Sequence, residues 1–337
     1  MNTTSNDTFA PVTESPTIIH PNRTLFMILY RYGLVLIFLI GFSGNLASLV
    51  TFMSPILRVI STGFLFFMVA VSDILYLMIT IFEFVEVGIV QGAIFLSVYD
   101  NVCRFRWFSK GFIRFCSAWI LVFIAIDRWL RTRFPFKANQ WCTRRNASIA
   151  VLIAILFGIA LHSHMLSTQL FGRFFPGIPS VACGPINPTS FYMPFFFTQW
   201  PIIQVGRNRN EDQKKKYFGI FQVVFISIVP AILMLASSIS IHRLIHKEKK
   251  RIQPVNSNIH ERTRQTRLQR HMLILMISSA ILFLATTLPI SISQITNAYL
   301  LGTNAHVDLN EIINEEAVVN LLLDFNYAVS IFNLSKG

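Results

Sequence analysis

The sequence predicts an all-α integral membrane protein, a bundle of seven membrane-spanning helices with its N-terminus outside the cell. Of the 337 residues, 53% are apolar and only 13% are charged, about half the charged fraction of roughly 25% found in soluble domains. The apolar residues form long blocks instead of one face of each helix, a pattern typical of helices that contact lipid. Several blocks exceed the ~20 residues that cross ~30 Å of hydrocarbon. A chain of this size cannot bury all of them in a water-soluble core, so the protein is predicted to reside in a membrane.

Seven apolar blocks divide the chain into predicted spans and connections. A polar tail occupies residues 1–25, the membrane domain residues 26–334, and a residual cytoplasmic end residues 335–337. The spans are predicted approximately at 26–53, 62–90, 104–129, 148–167, 217–242, 271–298 and 316–334. An odd number of spans places the two ends of the chain on opposite sides of the membrane.

Basic residues orient the bundle. Lys and Arg are frequent in the connections 130–147 and 243–270, whereas the connection 299–315 has none and carries three acidic residues. Because positive charge accumulates on the cytoplasmic side, the connections 130–147 and 243–270 are predicted to lie in the cytoplasm. The same rule explains the net charge of +13, so nucleic acid is not an expected partner. Residues 168–216, nominally outside, also carry basic residues, but long loops translocate largely regardless of charge.

The N-terminal tail carries three glycosylation sequons, at Asn2, Asn6 and Asn22. Only chain on the lumenal side is glycosylated, so the sequons support an outside tail and a multi-pass protein of the plasma membrane. The tail lacks the cationic start, short apolar stretch and small-residue cleavage site of a signal peptide. The first span is therefore predicted to serve as the insertion signal.

Polar residues within the blocks occur in a characteristic order. Cys103 and Arg128 are 25 positions apart, and Asn45 and Asp73 are 28 positions apart. The set comprises Gly44, Asn45, Asp73, Cys103, Asp127, Arg128, Trp129, Pro135, Pro230, Phe283 and Pro289. From about residue 26 to 334 this pattern resembles the rhodopsin-like (class A) G-protein-coupled receptors, and in particular a divergent invertebrate peptide receptor. The resemblance implies an extracellular ligand and a heterotrimeric G protein as partners.

The resemblance also implies an activation switch. Asp127 and Arg128 would form an ion pair that holds the receptor inactive, and the released arginine would meet the G protein. Pro230 and Pro289 should kink their helices, which would allow an outward swing of the sixth helix, and Phe283 matches the family's packing switch. The alternative for Arg128 is an interfacial arginine whose side chain extends to the lipid headgroups. The alternative for Pro230 and Pro289 is that they kink their helices without any movement.

Two further sites follow from the resemblance. A disulfide would join Cys103 to Cys183, while Cys116 and Cys142 would be free thiols. A sodium ion would bind at Asp73 with Ser117, Asn326 and Ser330, all of which supply the oxygen ligands that hard cations prefer. A hydrogen-bonded network of Asn45, Asp73 and Asn326 without a metal is the alternative, and no other cofactor is expected.

The predicted ligand pocket is unusual because it contains cations. Lys110 stands where amine receptors of the family carry an aspartate, so a protonated amine would be repelled. Arg114 shares its helix face four residues later, and Glu83 and Glu86 lie on the second span. Thr287 replaces the family's usual tryptophan. The alternatives are internal salt bridges, for example Lys110 to Glu83, and a pocket for a peptide, which offers both acidic and basic groups.

The C-terminal end departs from the family pattern. In place of Asn-Pro-x-x-Tyr the chain has the run Ser330 to Leu334 and stops at Gly337, so a truncated receptor with weak or lost coupling is expected. The rival predictions are a non-signalling receptor-like protein, including a decoy, and a seven-helix transporter. A light-sensing pigment is excluded because block 316–334 has no lysine, and no catalytic set indicates an enzyme.

Overall fold

The structure, a computed structural model, describes eight parts of the chain, which contain the helices of the bundle. The described residues are 32–55, 59–85, 100–173, 183–185, 223–251, 277–278, 280–293 and 309–329. The helices are α1 (Leu34–Phe52), α2 (Ser61–Glu83), α3 (Asp100–Arg133), α4 (Pro135–Trp141), α5 (Arg144–His162), α6 (Val229–Arg251), α7 (Ala280–Ser293) and α8 (Leu309–Val329). Asn2, Asn6, Asn22, Glu86 and Ser330 lie outside the described residues, as do the side chains of Glu83 and Cys183.

The helices have the length and composition of membrane spans. Within the described residues, five are long and apolar enough to cross a bilayer, namely Leu34–Phe52, Ser61–Phe82, Asp100–Arg133, Arg144–Leu166 and Val224–Leu244. The part of α7 that is described is apolar and shorter. The apolar residues of α1 and α5 that point away from the bundle are exposed, as expected for surfaces that face lipid. The predicted all-α membrane fold is confirmed.

The central helix is α3, which packs against α2, α5 and α6. Its buried residues form the main hydrophobic core, which includes Phe115, Val122 and Ile124 and extends to Phe283 of α7. A second core joins α1, α2, α3 and α8, and Tyr76 and Tyr327 lie within it. Because α3 contacts most of its neighbours, the polar side chains on it are held at fixed positions between the other helices.

Several helices extend beyond their predicted spans. Helix α3 continues to Arg133, helix α6 to Arg251, and helix α8 begins at Leu309 instead of near residue 316. The connection after α3 contains the short helix α4, and Thr143 then caps α5 by accepting a hydrogen bond from the Asn146 backbone N–H at 3.2 Å. Hydropathy marks the lipid-facing part of a helix, whereas the helix itself continues through charged residues that reach water.

A small hairpin lies in the connection 168–216. Strands β1 (Phe171–Arg173) and β2 (Cys183–Pro185) pair antiparallel, with Gly172 opposite Gly184. Phe171 is fully buried in a cluster with Cys103 and Met165, and this cluster attaches the hairpin to the N-terminal end of α3. Strands of three residues carry too short a pattern to be predicted from sequence.

The turns just before Pro230, where a kink is predicted, are wider than those of an α-helix. The chain forms a π-helix from Val223 to Ile228, immediately before α6. A wider turn at this point is consistent with a proline that lacks a backbone N–H, and π-turns occur frequently where helices bend.

Candidate functional site

A buried polar network joins α2, α3 and α8 in the bundle. The Tyr76 hydroxyl donates a hydrogen bond to Asp324 Oδ1 at 2.7 Å. The rings of Tyr76 and Tyr327 stack with their centroids 3.8 Å apart. All three side chains are buried, so the carboxylate is held within the bundle by residues of two helices.

Two cations of α3 complete this network. The ammonium of Lys110 lies 5.9 Å from the centroid of the Tyr76 ring, a distance typical of a cation–π contact. The Arg114 side chain is hydrogen-bonded to Tyr327. Both cations therefore contact the same tyrosine pair, as their four-residue spacing on a helix predicts. We call the five residues Tyr76, Lys110, Arg114, Asp324 and Tyr327 the tyrosine network.

Asp324 and the two tyrosines were not among the residues predicted from sequence. Asp324 is an acidic residue within an apolar block, and such residues are costly enough at membrane depth to indicate a functional site. That signal was present in the seventh block but was not used. The alternative partner predicted for Lys110 was Glu83, whose side chain lies outside the described residues.

Two more arginines near the N-terminal end of α3 are buried. Arg104 donates a hydrogen bond to the Phe171 carbonyl at 3.1 Å and another to Asn101 Oδ1 at 2.5 Å. Arg106 is only 2% exposed, and it lies four residues before Lys110, on the same helix face. The N-terminal half of α3 therefore carries a column of cations, Arg106, Lys110 and Arg114. Sequence reasoning identified only the last two.

The predicted cation site is centred on Asp73, which has no exposed surface. Ser117 Oγ donates a hydrogen bond to Asp73 Oδ1 at 3.0 Å, and Asn326 is buried on α8. On the neighbouring helix α1, Asn45 Nδ2 donates to the Tyr327 carbonyl at 2.9 Å. Among the described residues, Asn45 Oδ1 is a buried oxygen with no hydrogen-bond partner. Asp73, Ser117, Asn326 and Asn45 all have side-chain oxygen atoms that can bind a metal ion, so they fit a hard cation such as sodium.

At the C-terminal end of α3, Asp127 is bound by three side chains. Ser61 and Thr62, at the start of α2, donate hydrogen bonds to its two carboxylate oxygens at 2.6 and 2.5 Å. Arg131 forms the ion pair, with Nε 3.1 Å from Oδ2. The predicted ion pair between Asp127 and Arg128 is replaced by a different one: within the described residues, Asp127 pairs with Arg131. Adjacent residues of a helix point in different directions, whereas residues four apart share a face.

Arg131 also connects α3 to the connection that follows it. Its Nη2 donates hydrogen bonds to Ser61 Oγ at 2.7 Å and to the Cys142 carbonyl at 3.0 Å. Cys142 Sγ lies 3.6 Å from the Asp127 carbonyl. Burial, and secondly the negative charge of Asp127, raise the pKa of the Cys142 thiol to about 11. One arginine therefore holds together the start of α2, the end of α3 and the residue that follows α4.

The predicted switch residues of α7 lie within the bundle. Phe283 is buried in the main core beside α3 and α6. Thr287 Oγ1 donates a hydrogen bond to the Phe283 carbonyl at 2.6 Å. One turn further, Ser291 Oγ donates to Ser227 Oγ of the π-helix at 3.1 Å. The segments around Pro289 and Pro230 are therefore coupled directly.

A family model described as the serpentine type 7TM GPCR chemoreceptor Srw matches residues 33–333. The chain belongs to this family. It is therefore a multi-pass membrane receptor of the G-protein-coupled type, and the expectation that it is not an enzyme is confirmed.

Two curated proteins of Caenorhabditis elegans are similar to part of this Srw receptor. One is the FMRFamide peptide receptor frpr-18, 28% identical over 127 residues, which are 37% of this chain and 29% of that protein. The other is neuropeptide receptor 22, 31% identical over 125 residues, which are 37% of this chain and 28% of that protein. The matched segments cover less than a third of either relative.

The cysteines of this Srw receptor fall into two kinds. Cys103 is disulfide-bonded and fully buried beneath the hairpin. Cys116 and Cys142 are free thiols, as predicted. A covalent bond at Cys103 fixes the N-terminal end of α3, the helix that carries the column of cations.

Proposed function

We propose that this protein is a plasma-membrane receptor for a peptide, which binds above the tyrosine network and activates a heterotrimeric G protein. The observation that carries the proposal is the network itself. It places two cations, Lys110 and Arg114, and one carboxylate, Asp324, within contact of one pair of stacked tyrosines. Charged groups at membrane depth are costly and mark functional sites.

The charges favour a ligand that carries both signs. The column of Arg106, Lys110 and Arg114 attracts an anionic group, and Asp324 attracts a basic one. A simple amine lacks the anionic group and is repelled by the cations, whereas a peptide supplies both. The two relatives named as peptide receptors support the same ligand class. Glu83, Glu86 and Thr287 complete the proposed pocket.

The cytoplasmic ends supply the proposed coupling site. Asp127 is engaged by Ser61, Thr62 and Arg131, so release from Asp127 is not needed for Arg128 to meet the G protein. Outward movement of α7, which lies in the sixth predicted span, about Pro289 would open the space beside Arg128. The Phe283 packing and the hydrogen bond between Ser291 and Ser227 are the contacts that such a movement would change.

We also propose a sodium site at Asp73, with Ser117, Asn326 and Ser330 as the other ligands. A bound ion would stabilise the inactive arrangement of α2, α3 and α8 by neutralising the buried carboxylate. The oxygen donors and the unpartnered Asn45 Oδ1 support this proposal. Arg114 lies one turn from Ser117 on α3, and it is a second cation in the same region.

On the outer side we propose glycans at Asn2, Asn6 and Asn22 and a disulfide between Cys103 and Cys183. The bonded state of Cys103 and the free state of Cys116 and Cys142 support that pairing. The bond would tie the hairpin to α3 and hold the entrance of the pocket.

The test is a G-protein activation assay in cells, with and without a peptide library. The wild-type chain is compared with Arg128→Ala and Asp324→Asn, with surface levels matched through an N-terminal tag that is reachable from outside. We expect a peptide response that both variants lose, while Asp324→Asn retains ligand-independent signalling. No peptide response at matched surface levels would favour the non-signalling or transporter alternatives. A response unaffected by Asp324→Asn would remove the tyrosine network from the ligand site.

A further inference from the structure

The connection between α3 and α5 combines positive charge with exposed aromatic rings. From Arg128 to Arg145 the sequence holds six Lys and Arg residues and no Asp or Glu. Arg131 is engaged by Asp127, but Lys137, Arg144 and Arg145 are exposed. This strong positive charge has no acidic counterpart within its own segment, so it suits a partner that is anionic.

Aromatic rings lie among these cations. Phe136 is 94% exposed and Trp141 is 46% exposed, a large apolar exposure for so short a segment. The Lys137 ammonium lies 5.5 Å from the centroid of the Trp141 ring. Phe134 packs edge-on against Trp141 with the centroids 6.0 Å apart. Aromatic rings beside Lys and Arg are typical of segments at a membrane–water interface.

The position of α4 agrees with that environment. It lies between the cytoplasmic ends of two membrane-spanning helices, α3 and α5. The Arg131 hydrogen bond to the Cys142 carbonyl holds its C-terminal end against α3, and Ala138 is buried on its inner side. The Arg144 guanidinium lies 5.6 Å from the Phe64 ring centroid of α2. The segment is thus fixed at the level where headgroups meet the bundle.

We propose that Phe134, Phe136, Lys137, Trp141, Arg144 and Arg145, the α4 surface, bind anionic phospholipid headgroups of the cytoplasmic leaflet. The cations would contact lipid phosphates while Phe136 and Trp141 enter the headgroup region. Clusters of four to eight Lys and Arg residues beside a membrane span bind anionic lipids in this way, and the whole segment from Arg128 to Arg145 holds six. The inference rests on the orientation in the proposed function, but it requires neither a ligand nor a G protein.

The test uses the full chain in nanodiscs of phosphatidylcholine and measures the affinity for a fluorescent phosphatidylinositol bisphosphate, with phosphatidylserine as competitor. The variant Lys137→Gln/Arg144→Gln/Arg145→Gln is compared with Arg207→Gln/Arg209→Gln/Lys214→Gln, which removes three charges from the segment predicted outside. We expect affinity roughly tenfold weaker or more for the first variant and little change for the second. Because the attraction is electrostatic, wild-type affinity should also fall as salt is raised.

Several results would overturn the proposal. One is equal affinity in the two triple variants, and another is wild-type binding that does not respond to salt. A third is a Phe136→Ala variant that binds lipid like the wild type but loses G-protein activation, because the exposed ring would then belong to a protein interface. Lipid binding is measured without agonist, so a failure of the proposed receptor function would leave this result interpretable.

Discussion

Arg131 Nε lies 3.1 Å from Asp127 Oδ2, one helical turn away on α3, and the same guanidinium reaches Ser61 and the Cys142 carbonyl. This arrangement makes Arg131, and not Arg128, the residue that joins three segments at the C-terminal end of α3. It leaves Arg128 without an ion pair to Asp127, although the two are adjacent in the sequence.

Arg131→Ala should destabilise the purified receptor by roughly 1–2 kcal/mol. The buried Asp127 would lose its ionic partner, although the 30% exposure of the Arg131 side chain limits the effect through solvent screening. Thermal unfolding in detergent measures the change. Arg133→Ala, at the end of the same helix, should have a much smaller effect. Equal effects of the two substitutions would contradict a structural role for the Asp127–Arg131 pair.

Tyr76→Phe should destabilise the receptor by roughly 1–3 kcal/mol, because a buried carboxylate would lose a hydrogen-bond donor. The ring stacking against Tyr327 would remain. A double-mutant cycle with Asp324→Asn should show coupling of about 1 kcal/mol between residues 76 and 324. Tyr327→Phe is the matched control, because it removes a tyrosine hydroxyl that is hydrogen-bonded to Arg114 and leaves the hydrogen bond between Tyr76 and Asp324 in place. Additive effects of Tyr76→Phe and Asp324→Asn would argue against the observed hydrogen bond.

Gly41→Ala should lower stability by roughly 1–3 kcal/mol through overpacking. A Cβ at Gly41 would lie 2.7 Å from both Cα and Cβ of Ala328, where α1 meets α8. Gly33→Ala is the control, because its Cβ would meet the flexible end of Leu321 at 2.9 Å. Thermal unfolding should rank Gly41→Ala well below Gly33→Ala, and the reverse order would mean that α1 and α8 do not pack as described.

Sodium should raise the thermal stability of the wild-type receptor relative to an equal concentration of potassium, by about 1.4 kcal/mol at ten times the dissociation constant. Asp73→Asn should abolish this difference and Ser117→Ala should reduce it. Ser72→Ala, a buried serine of the same region whose hydroxyl bonds the Ile113 carbonyl at 3.5 Å, is the control. Arg114→Gln should strengthen the sodium effect by removing a competing cation. A sodium effect that persists in Asp73→Asn would contradict the proposed sodium site.

Cys142 should react slowly with thiol reagents near neutral pH. Its pKa is raised from 9.0 to about 11, so the reactive thiolate is roughly a hundredfold less populated than in an ordinary cysteine. The reaction rate should increase with pH up to about 11. In a Cys116→Ser background, Asp127→Asn should accelerate the reaction by removing a nearby negative charge. A rate at pH 7.5 equal to that of a free cysteine would show that the thiol is not shielded.

Much of the fold followed from local patterns. The length of the apolar blocks located the helices, and the motif order from Asn45 to Pro289 indicated a G-protein-coupled receptor, which the family match supports. The ends of helices were less well predicted, as for α3 and α8, because helical hydrogen bonds continue where hydropathy falls. The hairpin was not predicted, because strands of three residues are fixed by packing on Cys103 and Met165 and not by their own sequence.

The sequence by itself predicted seven apolar blocks that cross a membrane and the connections that lie in the cytoplasm, and it determined that Lys110 and Arg114 share a helix face. Only the tertiary structure decided that Tyr76 is hydrogen-bonded to Asp324 and that Arg114 is hydrogen-bonded to Tyr327. It also decided that Asp127 forms its ion pair with Arg131. Spacing within one helix sets which residues share a face, and this can be calculated from the sequence. The rotation of each helix about its axis depends on the packing of all its neighbours, so the contacts between helices that build the site are decided by the folded bundle.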